Sequence, residues 1–156
     1  MHSRIIQISK EKIDKDDYIE ESDYWDNFVG PIADYVSEDT DRDGDIEWFV
    51  EILKDSIEYN KDEESFIIKD RKKYFERSYD KFMKILNEIS DTMTLDKYMS
   101  PCDTVIYSLK STYDDKFGFY IDDKGEYHGL STLDNFMRYA EDGQKFYIGG
   151  TMDYHS

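Results

Sequence analysis

Ile46-Glu-Trp-Phe-Val-Glu-Ile-Leu-Lys-Asp-Ser-Ile57, then Asn60-Lys-Asp-Glu-Glu64, then Ser65-Phe-Ile-Ile-Lys69 changes its apolar period in mid-course. Ile46, Phe49, Val50, Leu53 and Ile57 recur as i, i+3, i+4, i+7 and i+11, the stripe of an amphipathic helix. Asp45 and Glu47 sit in its first turn, where the helix dipole favours negative charge. Asn60 to Glu64 is polar and turn-like. Ser65 to Lys69 is short and β-branched, as strands are. A helix leading into a strand within one short stretch predicts a mixed fold.

Downstream, Phe75, Tyr79, Phe82, Leu86 and Ile89 line one face of a longer helix from Asp70 to about Ile89, with Ile85 beside them. Val105 to Leu109 and Phe117 to Ile121 read as strands. Asp122-Asp-Lys-Gly125 reads as a hairpin turn. Ser131 to Asp134 resembles a capping arrangement for a short helix, Leu133 to Glu141, ended by Gly143. Lys145 to Gly149 reads as a last strand. Upstream, Arg4-Ile-Ile-Gln-Ile8 reads as a strand and residues 11 to 21 have no period. Ser22 reads as the N-cap of a helix carrying Trp25, Phe28, Val29, Ile32 and Val36, kinked or split at Gly30-Pro31. The order predicts one α+β domain over residues 1–156. Its small, largely antiparallel sheet would be covered on one side by about four helices.

Charge narrows the functional classes. The 156-residue chain carries 37 acids against 20 Lys and Arg, a net of −17. From Glu11 to Glu63 there are 20 acids and 5 bases. Such a field repels nucleic acid and anionic membranes and attracts cations and basic protein surfaces. With 16% aromatic residues the chain is expected to fold rather than remain disordered. Lys69 to Lys84 is the one basic region, with seven bases and three acids. It reads as a solvated helix face that relieves self-repulsion by facing the acidic half. A single cysteine, no signal-like N-terminus and no apolar run of ~20 residues predict a cytoplasmic setting.

Asp39, Asp41, Asp43, Gly44 and Ile46 match the calcium loop of the EF-hand family at five places. The resemblance covers one loop and implies Asp39, Asp41 and Asp43 as calcium ligands. It departs where the family needs a bidentate Glu at position 12. That position is Val50, and Glu51, one residue late, points roughly 100° away on the helix. The competing reading is an Asp-rich connection that caps the next helix. No cofactor is expected.

No reaction is legible. His2, His128 and His155 share no metal-binding spacing with one another or with Cys102. Cys102 has no local nucleophile motif and reads as a small apolar residue. Gly149-Gly150 lacks the pattern of a phosphate loop. The chain is therefore expected not to be an enzyme.

Asp16, Asp17, Glu20, Glu21, Asp23, Tyr24, Asp26 and Glu38 place carboxylates densely around aromatic residues. Duplex DNA presents about one charge per ~1.7 Å of axis, a density such a surface can approach. In size and charge the chain resembles the DNA mimics of phages and mobile elements, the anti-restriction and anti-CRISPR inhibitors. That resemblance implies an inhibitor of a basic, nucleic-acid-binding protein, acting by protein–protein contact at the eight residues just named. A toxin-immunity protein belongs to the same physical class. A calcium-binding module is the other reading.

Overall fold

The β-branched run at Arg4–Ile8 forms the middle of strand β1 (His2–Ser9), and β7 (Lys145–His155) lies antiparallel beside it. The computed structural model describes residues 2–100, 103–126 and 129–156. Between these strands come β2 (Tyr35–Ser37), α1 (Arg42–Leu53), β3 (Ile57–Asn60), β4 (Ser65–Ile68), α2 (Arg71–Thr92) and α3 (Leu95–Met99). There follow α4 (Asp103–Tyr113), β5 (Tyr120–Asp122), β6 (Leu130–Thr132) and α5 (Leu133–Tyr139). Among the described residues the sheet has seven strands, in the order β3-β4-β7-β1-β5-β6, with β2 also paired to β7. Among the strands of the described residues only β1 and β5 pair in parallel. The α+β class holds, but the sheet is larger than expected, and among the described residues five α-helices and two short 3₁₀ turns accompany it.

One face of the sheet packs Ile6, Ile8, Phe66, Phe146 and Ile148 against Phe49 and Leu53 of α1 and Phe136 and Met137 of α5. The opposite face packs Ile5, Met152 and Tyr154 against Ile19, Tyr24, Phe28 and Val36, from a segment without regular helix. Phe146 and Ile148 thus serve one core while Met152 and Tyr154 serve the other. Strict alternation would put all four on the same side. A β-bulge makes the change: the pairing slips between Ile6 and Ile8, opposite Gly149-Gly150. Strands so built bury both faces, and this explains how Tyr, Phe and Ile suffice for the core.

Several expected elements differ. Ile57 opens β3 instead of extending the helical stripe, because α1 ends at Leu53, and the strand expected at Phe117 begins only at Tyr120. Residues 22–36 are not a helix. A 3₁₀ turn at Glu21–Tyr24 is followed by isolated turns in which Phe28 N donates to Tyr24 O and Ile32 N to Phe28 O. Gly30 at φ +95° stops propagation, and Pro31 has no N–H to extend a helical ladder. The apolar spacing of about four is real but serves single turns, and Val36 belongs to β2. Nor is Val105–Leu109 a strand; it lies inside α4, which packs along α2. Short β-branched runs fit either state, and here the neighbouring helix decides. Cys102 and His128 lie outside the described residues.

Candidate partner-binding face

Besides the apolar packing of Ile19, Tyr24 and Phe28, one buried amide ties the start of the acidic segment to the sheet. Gln7, in the middle of β1, is almost fully buried. Its Nε2 donates to Asp17 O at 2.9 Å, and its Oε1 accepts from Gly150 N at 2.8 Å and Ile19 N at 3.3 Å. Asp16 and Asp17 are thereby presented outward on a 3₁₀ turn, Lys15–Asp17, directly over the bulge. The two glycines leave the room for this. A Cβ on Gly149 would meet Gln7 Oε1 and come within 2.7 Å of Ile13 Cδ1. One on Gly150 would come within 3.0 Å of Tyr18 Cβ.

The next carboxylates are fixed by local bonds. Glu20 and Asp23 form a reciprocal capping box around the second 3₁₀ turn. Lys124 Nζ donates to Asp23 at 2.5 Å, and this hydrogen bond holds the Asp23 carboxyl below its ordinary range. Glu21 N donates to Glu38 Oε1 at 2.8 Å and Glu38 N to Glu21 Oε1 at 3.2 Å, tying the turn to the chain after β2. Asp16, Asp17, Glu20, Asp23, Asp26 and Glu38 are exposed, and Glu21 is half-buried. The face is therefore a set of outward carboxylates on irregular backbone, several of them fastened by the bonds that build it.

Tyr24 does not belong to that face. It is 2% exposed, and its hydroxyl donates to Asp122 Oδ2 at 2.6 Å across the core. Burial, then the Asp122 charge, pushes its phenol well above the ordinary range. The accessible ring is its neighbour, Trp25, 63% exposed.

The Asp-rich loop uses its carboxylates in three different ways. Asp41 accepts from Gly44 N at 3.2 Å as the N-cap of α1. Asp43 is almost wholly exposed on the first helical turn. Asp45 points inward and is buried, accepting from Arg4 Nε, Thr40 Oγ1 and Thr151 Oγ1. Arg4 also bonds Asp153 and lies over the Trp48 ring. Among the described residues no group of three or more His, Cys, Asp or Glu side chains is placed to hold a metal ion. No known family model, curated protein or solved structure matches this chain.

Two arrangements had no signal in the sequence. Arg42 donates to both oxygens of Glu64, at 2.7 and 3.0 Å, and to Gly149 O at 2.8 Å. That hydrogen bonding keeps the Glu64 carboxyl below its ordinary range. Beside it is a cleft of about 340 Å³ whose lining includes Asp43, Glu47, Tyr59 and Glu64. Its lining also holds Lys61, 3.9 Å from Glu47, so with Arg42 on Glu64 the cleft is largely charge-compensated from within and leaves Asp43 as its outward carboxylate. At one end of the central strands His2 of β1 stands opposite His155 of β7, ring centroids 5.0 Å apart, each with its Nδ1 on a carboxylate. A pair formed by residues 153 apart leaves no spacing to recognise.

Proposed function

We propose that this chain is a non-enzymatic acidic binding protein that covers a basic, nucleic-acid-binding protein surface, in the manner of an anti-restriction or anti-CRISPR decoy. One observation carries the reading. Asp16, Asp17, Asp26 and Asp39 are all exposed, and among the described residues none makes a side-chain hydrogen bond or ion pair that would neutralise it. Unpaired carboxylates on one continuous acidic stretch cost self-repulsion, which a complementary basic surface relieves. Trp25 supplies an exposed aromatic anchor beside them.

The test leaves the structural carboxylates Glu20, Glu21, Asp23 and Glu38 in place. Asp16, Asp17, Asp26 and Asp39 are changed to Asn, and affinity for a nuclease or defence complex captured on the wild-type chain is measured across a salt series. Wild-type affinity is expected to fall with salt, because screening shortens to about 8 Å at physiological strength. The variant is expected to bind more weakly with a shallower slope, mainly through slower association. The partner's DNA or RNA should be displaced. Unchanged affinity and slope, or a partner that keeps its nucleic acid, would overturn the decoy reading. Inhibition of a toxin that retains its substrate-binding channel would assign the chain to the immunity class instead.

A further inference from the structure

We propose that the cleft between α2, α4 and α5 is a binding site for a small aromatic carboxylate, with Arg138 as the group that recognises the anion. The cleft holds about 240 Å³. That is less than the ~300 Å³ at which pockets for drug-sized ligands begin, and it suits a body of one or two rings. Phe75 and Phe82 of α2 and Tyr113 of α4 supply flat apolar walls, against which another ring can stack or pack edge-on. The site draws on none of the acidic residues assigned to the partner-binding face.

Arg138, in the last turn of α5, is the one charged side chain among the described lining residues. It is half-buried and makes no ion pair among the described residues. A chain with 37 acids and 20 bases has carboxylates to spare, so an unpaired guanidinium in such a place calls for a reason. Its natural partner is Asp134, one turn earlier on the same helix. That carboxylate is committed elsewhere: Oδ1 accepts from the Tyr74 hydroxyl at 2.7 Å and Oδ2 from Asp115 N at 2.6 Å.

The guanidinium is instead fixed by rings. Its Cζ lies 3.8 Å from the centroid of Tyr113 and 5.0 Å from that of Phe75, and Nη2 donates to Tyr113 O. Among the described residues that is its one hydrogen bond. Whichever Nη2 hydrogen Tyr113 O takes, the other still forms a fork with Nε or Nη1, the geometry that receives a carboxylate in two parallel bonds. The hydroxyls of the lining do not compete for the anion. Ser78 Oγ donates to Phe75 O at 3.1 Å and Thr112 Oγ1 to Leu109 O at 2.7 Å. A ring against the aromatic walls and a carboxylate on Arg138 thus fit the cleft together. The net charge of −17 favours cations and repels anions. A preference for the anion therefore reports Arg138 and not the general field.

Naphthoate, naphthamide and naphthamidine share one planar body and differ in charge. Titrations of the full chain followed by heteronuclear NMR give each Kd and the residues that respond. Naphthoate is expected to shift the amides around Phe75, Phe82 and Tyr113, and to bind about tenfold more tightly than naphthamide. Naphthamidine should bind this cleft more weakly still. Arg138→Gln should bring naphthoate to the affinity of naphthamide and leave naphthamide unchanged, with far-UV circular dichroism confirming the fold. Should that variant not fold, the three ligands on the wild type still decide. Equal affinity for acid and amide, a preference for the amidine, or no response at these residues overturns the proposal. So does naphthoate binding that a folded Arg138→Gln chain retains in full.

Discussion

Gly149→Ala is expected to break the polar tie between the start of the acidic segment and the sheet. The new methyl collides with the amide of Gln7 and comes within 2.9 Å of its Cδ. A glutamine amide is the end of a flexible side chain, so the clash itself is cheap to relieve. The loss lies in what the amide was holding. Moving it breaks the bonds to Asp17 O, Ile19 N and Gly150 N, all at a buried site. At about 1 kcal/mol net per buried hydrogen bond, the cost is roughly 3 kcal/mol. For a domain of this size that lowers the melting temperature by about 6–12 °C. Urea unfolding followed by circular dichroism gives the free energy, and a thermodynamic cycle gives the cause. In a Gln7→Ala background the bonds are already gone and only the flexible end of Ile13, 2.7 Å from the new methyl, must still move, so Gly149→Ala should then cost distinctly less. Strictly additive losses, or a single variant within 0.5 kcal/mol of wild type, would refute the role assigned to Gln7.

Alkaline stability should reveal the buried phenols. Burial raises Tyr24 and Tyr74, each bonded to a carboxylate, above the ordinary value near 10, and Tyr120 is pushed up to about 12. Their contribution is complete below pH ~10 and is lost as pH rises, because the unfolded chain releases those protons first. Urea melts from neutral to strongly alkaline pH should show the decline, and Tyr24→Phe should flatten it; an unchanged profile would count against the Tyr24–Asp122 bond. Arg4→Ala should destabilise by about 3–5 kcal/mol, since it leaves Asp45 buried with only hydroxyl partners, and a chemical melt within 1 kcal/mol of wild type would show Asp45 reaching water. On the acid side, Glu64 is held low by Arg42, so its contribution is present above pH ~4.3 and lost below; Glu64→Gln should reduce the acid sensitivity of the melting temperature. Melts in excess chelator and in millimolar calcium should coincide, because Asp41 caps a helix and Asp45 is bonded to Arg4. A calcium-induced rise abolished by Asp41→Ala would promote the metal-binding reading.

What the sequence made legible was whatever repeats locally. The α1 stripe from Ile46 to Leu53, the strand at Ser65 and the face of α2 each announce themselves within a dozen residues. Residues 22–36 mislead because a four-residue apolar spacing serves consecutive single turns as well as a helix, and Gly30-Pro31 decides between them only in three dimensions. Val105–Leu109 misleads because α2 supplies a partner that the run itself does not mention. The exposed carboxylates at Asp16, Asp17 and Asp26 could be read directly, since density of charge needs no contact to be visible. Tyr24 and Trp25 could not be told apart: adjacent aromatics between acids look alike until Asp122, some hundred residues on, claims one of them.

The placement of β1 has a consequence for how the chain is made. Its two neighbours in the sheet, β5 and β7, both follow it only after the helices α1 to α4. β1 is therefore made well before either partner, and its edges stay bare until they follow. Pairings this distant in sequence form slowly and leave strands open to the wrong partner meanwhile. A nascent chain that stalls before Phe146 lacks the strand that joins β4 to β1. High acidic charge on the segments that follow β1 keeps such fragments apart until β7 has been made.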